Sequence, residues 1–324
     1  RIVKGATAGA YDDCVEISAR IDELVRAGAI APVGAGNYGV TMLYSPKEGS
    51  ADMAHALKIT KGDASAPKEV KVLDTLSSLR EEHGAPLFLH HYGSATCGCD
   101  IVPKLLRDAI ARKQRQKAKL GIGSKFDGKC QFIDMEALKD GCDVEALGNP
   151  RSKKCPSPNS EEKSSIAFQI VAAYEMGLKY TGFVHKDAHL DNYGMGERTQ
   201  DLGTAQFAYF RLPAGYVSGT PASPGRTIDR DYVWKVPLMK EFGLLKLIDF
   251  GLSRLGQRTL SKRMEVNRVK MVLSGMVSDR DLKEKLTETT MDAANGWTDM
   301  LIHDFDGLLT DEAIPDGAYV VTMG

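Results

Sequence analysis

The stretch HKDAHLDN, residues 185–192, places a carboxylate at Asp187 and a carboxamide at Asn192, and LIDFG, residues 247–251, adds a second carboxylate at Asp249. A loop carboxylate can take the proton of a hydroxyl group. Carboxylate and amide oxygens are also the hard donors that Mg²⁺ prefers. Upstream, VGAGNYGVT sets Gly34, Gly36 and Gly39 in the G-x-G-x-x-G spacing between two strand-like runs. Glycines there let backbone N–H groups approach a phosphate with no Cβ in the way. Lys58 follows in ALKIT, an otherwise apolar strand, and Glu69 in KEVKVLDTL, a helical pattern. A lysine so placed can meet phosphate charge, and the carboxylate can hold the lysine.

Singly, these features say little. The chain holds 32 glycines, so one glycine-rich turn is as readily a plain turn. A dinucleotide-binding turn needs a helix after its third glycine, whereas TMLY continues as a strand. Lys58 or Glu69 alone is as readily a solvated surface charge. Order changes the weight. A fixed residue matches by chance about one time in twenty, so H-x-D-x-x-x-x-N followed by D-F-G arises roughly once in a thousand such chains.

From Val33 to Arg254 the motifs run in an order that resembles the eukaryotic-type protein-kinase superfamily, as a divergent member similar to kinases of large DNA viruses. The resemblance implies an α+β, two-lobe kinase-like fold with ATP in the cleft between the lobes. It implies that Gly34, Gly36 and Gly39 cover the phosphates and that Lys58, held by Glu69, contacts them. Asp187 would orient the acceptor hydroxyl and take its proton, with Lys186 and His189 beside it, while Asn192 and Asp249 bind Mg²⁺. Met135 would be the gatekeeper, and the hinge from Glu136 to Leu138 would line the adenine. The implied acceptor is a Ser/Thr hydroxyl of a protein.

The chain also departs from that pattern. Lys186 replaces the arginine that often receives an activation-loop phosphate. His189 stands where Ser/Thr kinases carry a lysine, an arrangement similar to that of aminoglycoside and choline kinases. The gap between the metal-site candidates runs 57 positions, from 192 to 249, and only 73 residues, 252–324, follow Gly251, with no A-P-E signal. Two other readings therefore stay open: a small-molecule kinase, and a nucleotide-binding pseudokinase acting as a structural or interaction module.

The elements that must position these residues are legible in outline. An amphipathic pattern predicts a helix near 11–29, and strands follow at the glycine turn and at MAHALKIT. Residues 66–82 read as a helix, PLFLHHYGS as a strand and residues 105–120 as a basic helix followed by a Gly-rich loop. KCQFIDMEAL reads as a buried strand, GNPRSKKCPSPNSEEK as a loop, and residues 164–180 as a long helix. The implied division is a helical extension at 1–30 and a β-rich N-lobe at 31–138 with a basic insertion near 104–128. A mainly helical, shortened C-lobe at 139–324 would carry a long insertion at 196–240, whose last part could add strands.

Composition narrows the partners. Lys and Arg total 42 against 43 Asp and Glu, which leaves no global field to recruit nucleic acid. The basic segment 104–119 leaves an acidic partner open, although it lacks interleaved aromatic residues for stacking bases. No run of about 18 apolar residues is present that could span a bilayer. Residues 1–13 lack the apolar core of a secretory signal, so the six cysteines are expected to be thiols of a reducing compartment, in a cytoplasmic or virion-associated protein. His90, His91, Cys97 and Cys99 match no closed zinc site.

Overall fold

The computed structural model describes residues 14–26, 30–35, 39–44, 55–62, 66–102, 128–147, 149, 155–257, 262–288 and 296–324. They fall into two units, one of residues 1–74 with 90–137 and the other of residues 75–89 with 138–324. The basic segment 104–119 lies outside the described residues.

The first unit is built on an antiparallel sheet of β1 (Ile30–Ala35), β2 (Gly39–Tyr44), β3 (His55–Lys61), β4 (His91–Gly98) and β5 (Lys129–Glu136), in the order β1-β2-β3-β5-β4. Helix α1 (Cys14–Arg26) lays Ile17 and Ile21 on one face, in a buried cluster with Val40, Met42, Ile59 and Phe132. Leu57 and Ile59 of β3 point to that face, so the two-residue period of a strand sends Lys58 to the other. Helix α2 (Ala66–Glu82) occupies the predicted span.

The apolar run PLFLHHYGS is not one strand. After α2 the chain turns through Gly84, at φ 59°, and buries Leu87, Phe88 and Leu89 in the second unit before β4 begins at His91. A continuous apolar run has no period, so sequence alone does not separate a core plug from a buried strand.

The cysteines correct a second expectation. They form three disulfides, Cys14–Cys97, Cys99–Cys130 and Cys142–Cys155, with Cα–Cα separations of 5.6, 5.0 and 5.7 Å. The β4–β5 register sets Cys97 opposite Cys130, and α1 brings Cys14 to the same strand end. Sequence separations of 83 and 31 residues conceal that proximity.

In the second unit α3 (Val144–Leu147) is short, and α4 (Ser160–Thr181) is the central helix, buried almost continuously from Ser165 to Leu178. It starts four residues before the predicted 164 because Asn159 and Glu162 form a capping box, with bonds of 2.9 and 2.8 Å. Gly182, at φ 63°, ends it, and a Cβ there would lie 2.8 Å from the Gln257 backbone nitrogen.

The second half is mixed, and its helices hold more of the described residues than its strands. Among the described residues it holds eight strands, β6 to β13, alongside α3, α4, α5 (Lys262–Met276), α6 (Arg280–Glu288) and α7 (Gly296–Asp304). The long insertion supplies four of the strands. Strands β7 (Tyr193–Gly196) and β12 (Leu245–Leu247) still close a short hairpin beside β6 (Leu138–Asp143), so the extra chain leaves and returns at the hairpin tip. There Gly243 donates to the Gly196 carbonyl at 2.9 Å.

Within the insertion β8 (Phe207–Leu212) pairs with β11 (Tyr232–Pro237) and with the C-terminal β13 (Val320–Thr322), while β9 (Val217–Thr220) pairs with β10 (Ser223–Thr227). Phe168 of α4 meets the rings of Phe210, Trp234 and Phe305 at 5.1, 5.4 and 5.6 Å. The inserted aromatic residues therefore complete the core of α4. No helix among the described residues is long and apolar enough to cross a membrane.

Candidate functional site

In the first unit Lys58 Nζ donates to Glu69 Oε1 at 2.5 Å. Both side chains are about nine-tenths buried, so the ammonium is held by a partner that water barely reaches. Such a pair is costly to break from one side, by about 3–5 kcal/mol, because an uncompensated charge stays behind. Gly34 lies in β1, where the register shifts between Pro32 and Gly34, and Gly39 opens β2. That strand excludes the dinucleotide-type turn; Gly36 lies outside the described residues. Met135 sits on β5 opposite Ala56 and His91. Glu136 is buried, and its Oε2 accepts from the His90 N–H at 3.1 Å, which ties its side chain to the neighbouring chain segment.

Leu138 belongs to the second unit, where it opens β6 opposite Gly196. A Cβ on Gly194 would lie 2.3 Å from Leu138 Cδ1, so glycine is needed for the leucine to cross there.

The second unit brings Asp187, His189, Asn192 and Asp249 together in one hydrogen-bonded frame. Val184 and Arg254 exchange both backbone bonds at 2.9 Å, and Ile248 N–H donates to the Asn192 carbonyl at 3.0 Å. His185 Nε2 lies 2.9 Å from the Ile248 carbonyl, and Ser253 Oγ donates to the His185 carbonyl at 3.2 Å. Burial pushes the His185 pKa down, which favours a neutral ring within this frame. Asn192 Nδ2 donates to the Asp187 carbonyl at 2.7 Å and lies 2.9 Å from His189 Nε2. Its side-chain nitrogen is thereby turned toward these two neighbours. His189 bridges two carboxylates, 3.4 Å from Asp187 Oδ2 and 3.8 Å from Asp191 Oδ1.

Lys186 and Asp249 carry left-handed backbone, at φ 66° and 57°. Non-glycine residues enter that region at a cost of about 1–3 kcal/mol and stay there only when their surroundings hold them. Here Glu265 and Arg268 of α5 do part of the holding. Glu265 Oε1 accepts from the His185 and Lys186 N–H groups at 2.5 and 3.1 Å. Its Oε2 is buried with no hydrogen-bond partner among the described residues. Burial raises the Glu265 pKa to about 7, against the lowering effect of those two N–H bonds. Arg268 Nη1 donates to the Lys186 carbonyl at 3.0 Å and lies 4.0 Å from Asp187 Oδ1.

Sequence reasoning missed both residues. Glu265 and Arg268 are three apart on a helix, but nothing in that spacing ties them to a loop 80 positions earlier. On the His189 side, a hydrogen bond with Asp191 raises the Glu145 pKa, and burial raises that of Asp143.

The donor chemistry fits Mg²⁺. Asn192 and Asp249 offer hard oxygens, and among the described residues no group of three or more His, Cys, Asp or Glu side chains forms a closed metal cage. Two protein oxygens with the remaining positions left to phosphate and water is the usual arrangement for this ion.

No protein-family model matches the sequence, and no curated protein matches it. Among solved structures, WaaP in complex with acyl carrier protein is similar at 10% identity, over 92% of this chain and 93% of that chain, with a TM-score of 0.40. That likeness is too remote to assign a fold or an activity.

Proposed function

We propose that the protein is a kinase-type phosphotransferase that moves the γ-phosphate of ATP to a Ser/Thr hydroxyl of a protein. The observation that carries this reading is the frame joining Asp187, Asn192 and Asp249, whose three motif residues are set by direct backbone bonding between two loops. The Lys58–Glu69 pair supports it independently. Phosphoryl transfer asks a protein mainly to position groups and to neutralise developing charge.

In this reading Asp187 accepts the acceptor's hydroxyl proton, and Asn192 holds the Asp187 loop while offering its oxygen to the metal. Asp249 is the second metal ligand, and Lys58 meets the nucleotide phosphates while Glu69 keeps it extended. Bound Mg²⁺ supplies charge neutralisation at the phosphates. Gly34, Gly36 and Gly39 are assigned to the phosphate-covering turn, and Met135, Glu136 and Leu138 to the adenine side. The position of His189, between Asp187 and Asp191, favours a second reading in which the acceptor is a small hydroxyl compound. The three disulfides favour an oxidising location over a reducing one.

Labelled ATP with Mg²⁺ tests the proposal. Transfer to the protein itself or to a generic Ser/Thr acceptor should fall about 10²–10⁴-fold in Asp187→Asn, as for loss of a general base, and should also be lost in Lys58→Met. Transfer only to small hydroxyl compounds establishes the second reading. Nucleotide-dependent stabilisation without transfer to any acceptor refutes the enzyme reading.

A further inference from the structure

The two carboxylate oxygens of Asp187 face different chemistry. Oδ2 faces His189, which is tied to Asn192 and lies near Asp191. Oδ1 faces the Arg268 guanidinium at 4.0 Å. Asp143, Glu145 and Asp191 gather on the first side, and Lys186 and Arg268 stand on the other, where the nearby carboxyl is that of buried Glu265. Arg268 uses an N–H on the Lys186 carbonyl, and its side chain remains 54% exposed. A guanidinium has five N–H donors in a planar fork, so it retains donors that can take a carboxylate or phosphate.

We propose that Arg268, with Lys186, selects an acceptor that carries an anionic group beside its hydroxyl, as in a Ser/Thr flanked by acidic residues. The inference rests on the phosphotransferase reading and adds the charge of its substrate. His189, tied to the metal-binding candidate Asn192, stands on the Oδ2 side of Asp187, so the incoming hydroxyl is assigned to the Oδ1 side. An acceptor presented there has Arg268 as its neighbour. Attraction across such a contact acts on encounter and binding, whereas like charges brought together are penalised.

The test uses the full chain, MgATP and three serine peptides of equal length with Asp, Ala or Lys on both sides of the serine. The wild type should favour the Asp peptide over the Lys peptide by about tenfold in kcat/KM, mostly through KM. Arg268→Glu should reverse the order and Arg268→Lys should keep it. Arg268→Gln retains a donor for the Lys186 carbonyl without the charge, so it should bring the ratio near one even if Arg268→Glu folds poorly. A purely structural role for Arg268 would lower kcat for all three peptides alike.

Equal use of the three peptides by the wild type overturns the inference alone. So does a preference that Arg268→Gln leaves unchanged. Absence of transfer to all three, matching the Asp187→Asn control, overturns the Ser/Thr-acceptor reading and this inference with it.

Discussion

Replacing Glu265 by Gln separates what the carboxyl group does as a hydrogen-bond acceptor from what its charge costs the fold. The Gln oxygen can still accept the N–H groups of His185 and Lys186, which now meet Oε1 at 2.5 and 3.1 Å. The amide does not titrate, whereas the Glu265 carboxyl loses its proton near 7 in the fold against an ordinary 4.5. Because the folded pKa is the raised one, the native state keeps the proton longer, and stability falls as pH rises between those two values. At about 1.4 kcal/mol per pH unit, the loss from ionising Glu265 approaches about 3 kcal/mol by pH 8. Below pH 4.5 the wild type has the advantage, because the Gln amide nitrogen takes the place of buried Oε2, which has no partner, at about 1–3 kcal/mol.

The assay is urea unfolding of both proteins at pH 5, 6, 7 and 8, read as the difference between them so that other titrating groups cancel. Glu265→Gln should gain on the wild type by more than about 2 kcal/mol from pH 5 to pH 8. A difference flat to within about 0.5 kcal/mol would refute the reasoning. It would mean that the two N–H bonds and the charges of Lys186 and Arg268 outweigh burial and keep the carboxylate ionised throughout.

Gly243→Ala should destabilise the second unit by about 1–3 kcal/mol or more, because the new Cβ would sit 2.1 Å from the Glu197 carbonyl oxygen at the hairpin tip; a thermal melt reads it. Mass mapping of the unreduced protein should recover the three disulfides, and Cys142→Ser with Cys155→Ser, which frees a loop with a sequence separation of 13, should cost about 3 kcal/mol in denaturant unfolding. Thr298→Val removes one of two hydroxyls that hold buried Glu175, the other being Tyr216, and raises a carboxyl pKa that burial has already raised. Its cost should therefore be larger at pH 8 than at pH 5, about 1–3 kcal/mol in all, and a pH-independent loss would argue against the assignment.

What the sequence determined by itself is local. Asp187 and Asn192 share one loop, so their spacing alone set a usable geometry, and the bond from Asn192 to the Asp187 carbonyl spans just five residues. The residues around Lys58 marked an otherwise apolar strand, and the periodicity of residues 66–82 marked the helix that carries Glu69. Tertiary structure decided everything that depends on register and desolvation. Cys14 reaches Cys97 only because α1 lies on the sheet, and the run at 86–89 becomes core because the second unit has room for it. The long insertion could be counted in the sequence, but its aromatic residues show their purpose only when Phe168 meets Phe210 and Trp234. Glu265 and Arg268 belong to the same class. A Glu and an Arg on a helix are ordinary until folding buries one carboxyl against two backbone N–H groups and sets a guanidinium beside Asp187. Periodicity is a property of neighbours in the chain, whereas burial and charge environment belong to neighbours in space.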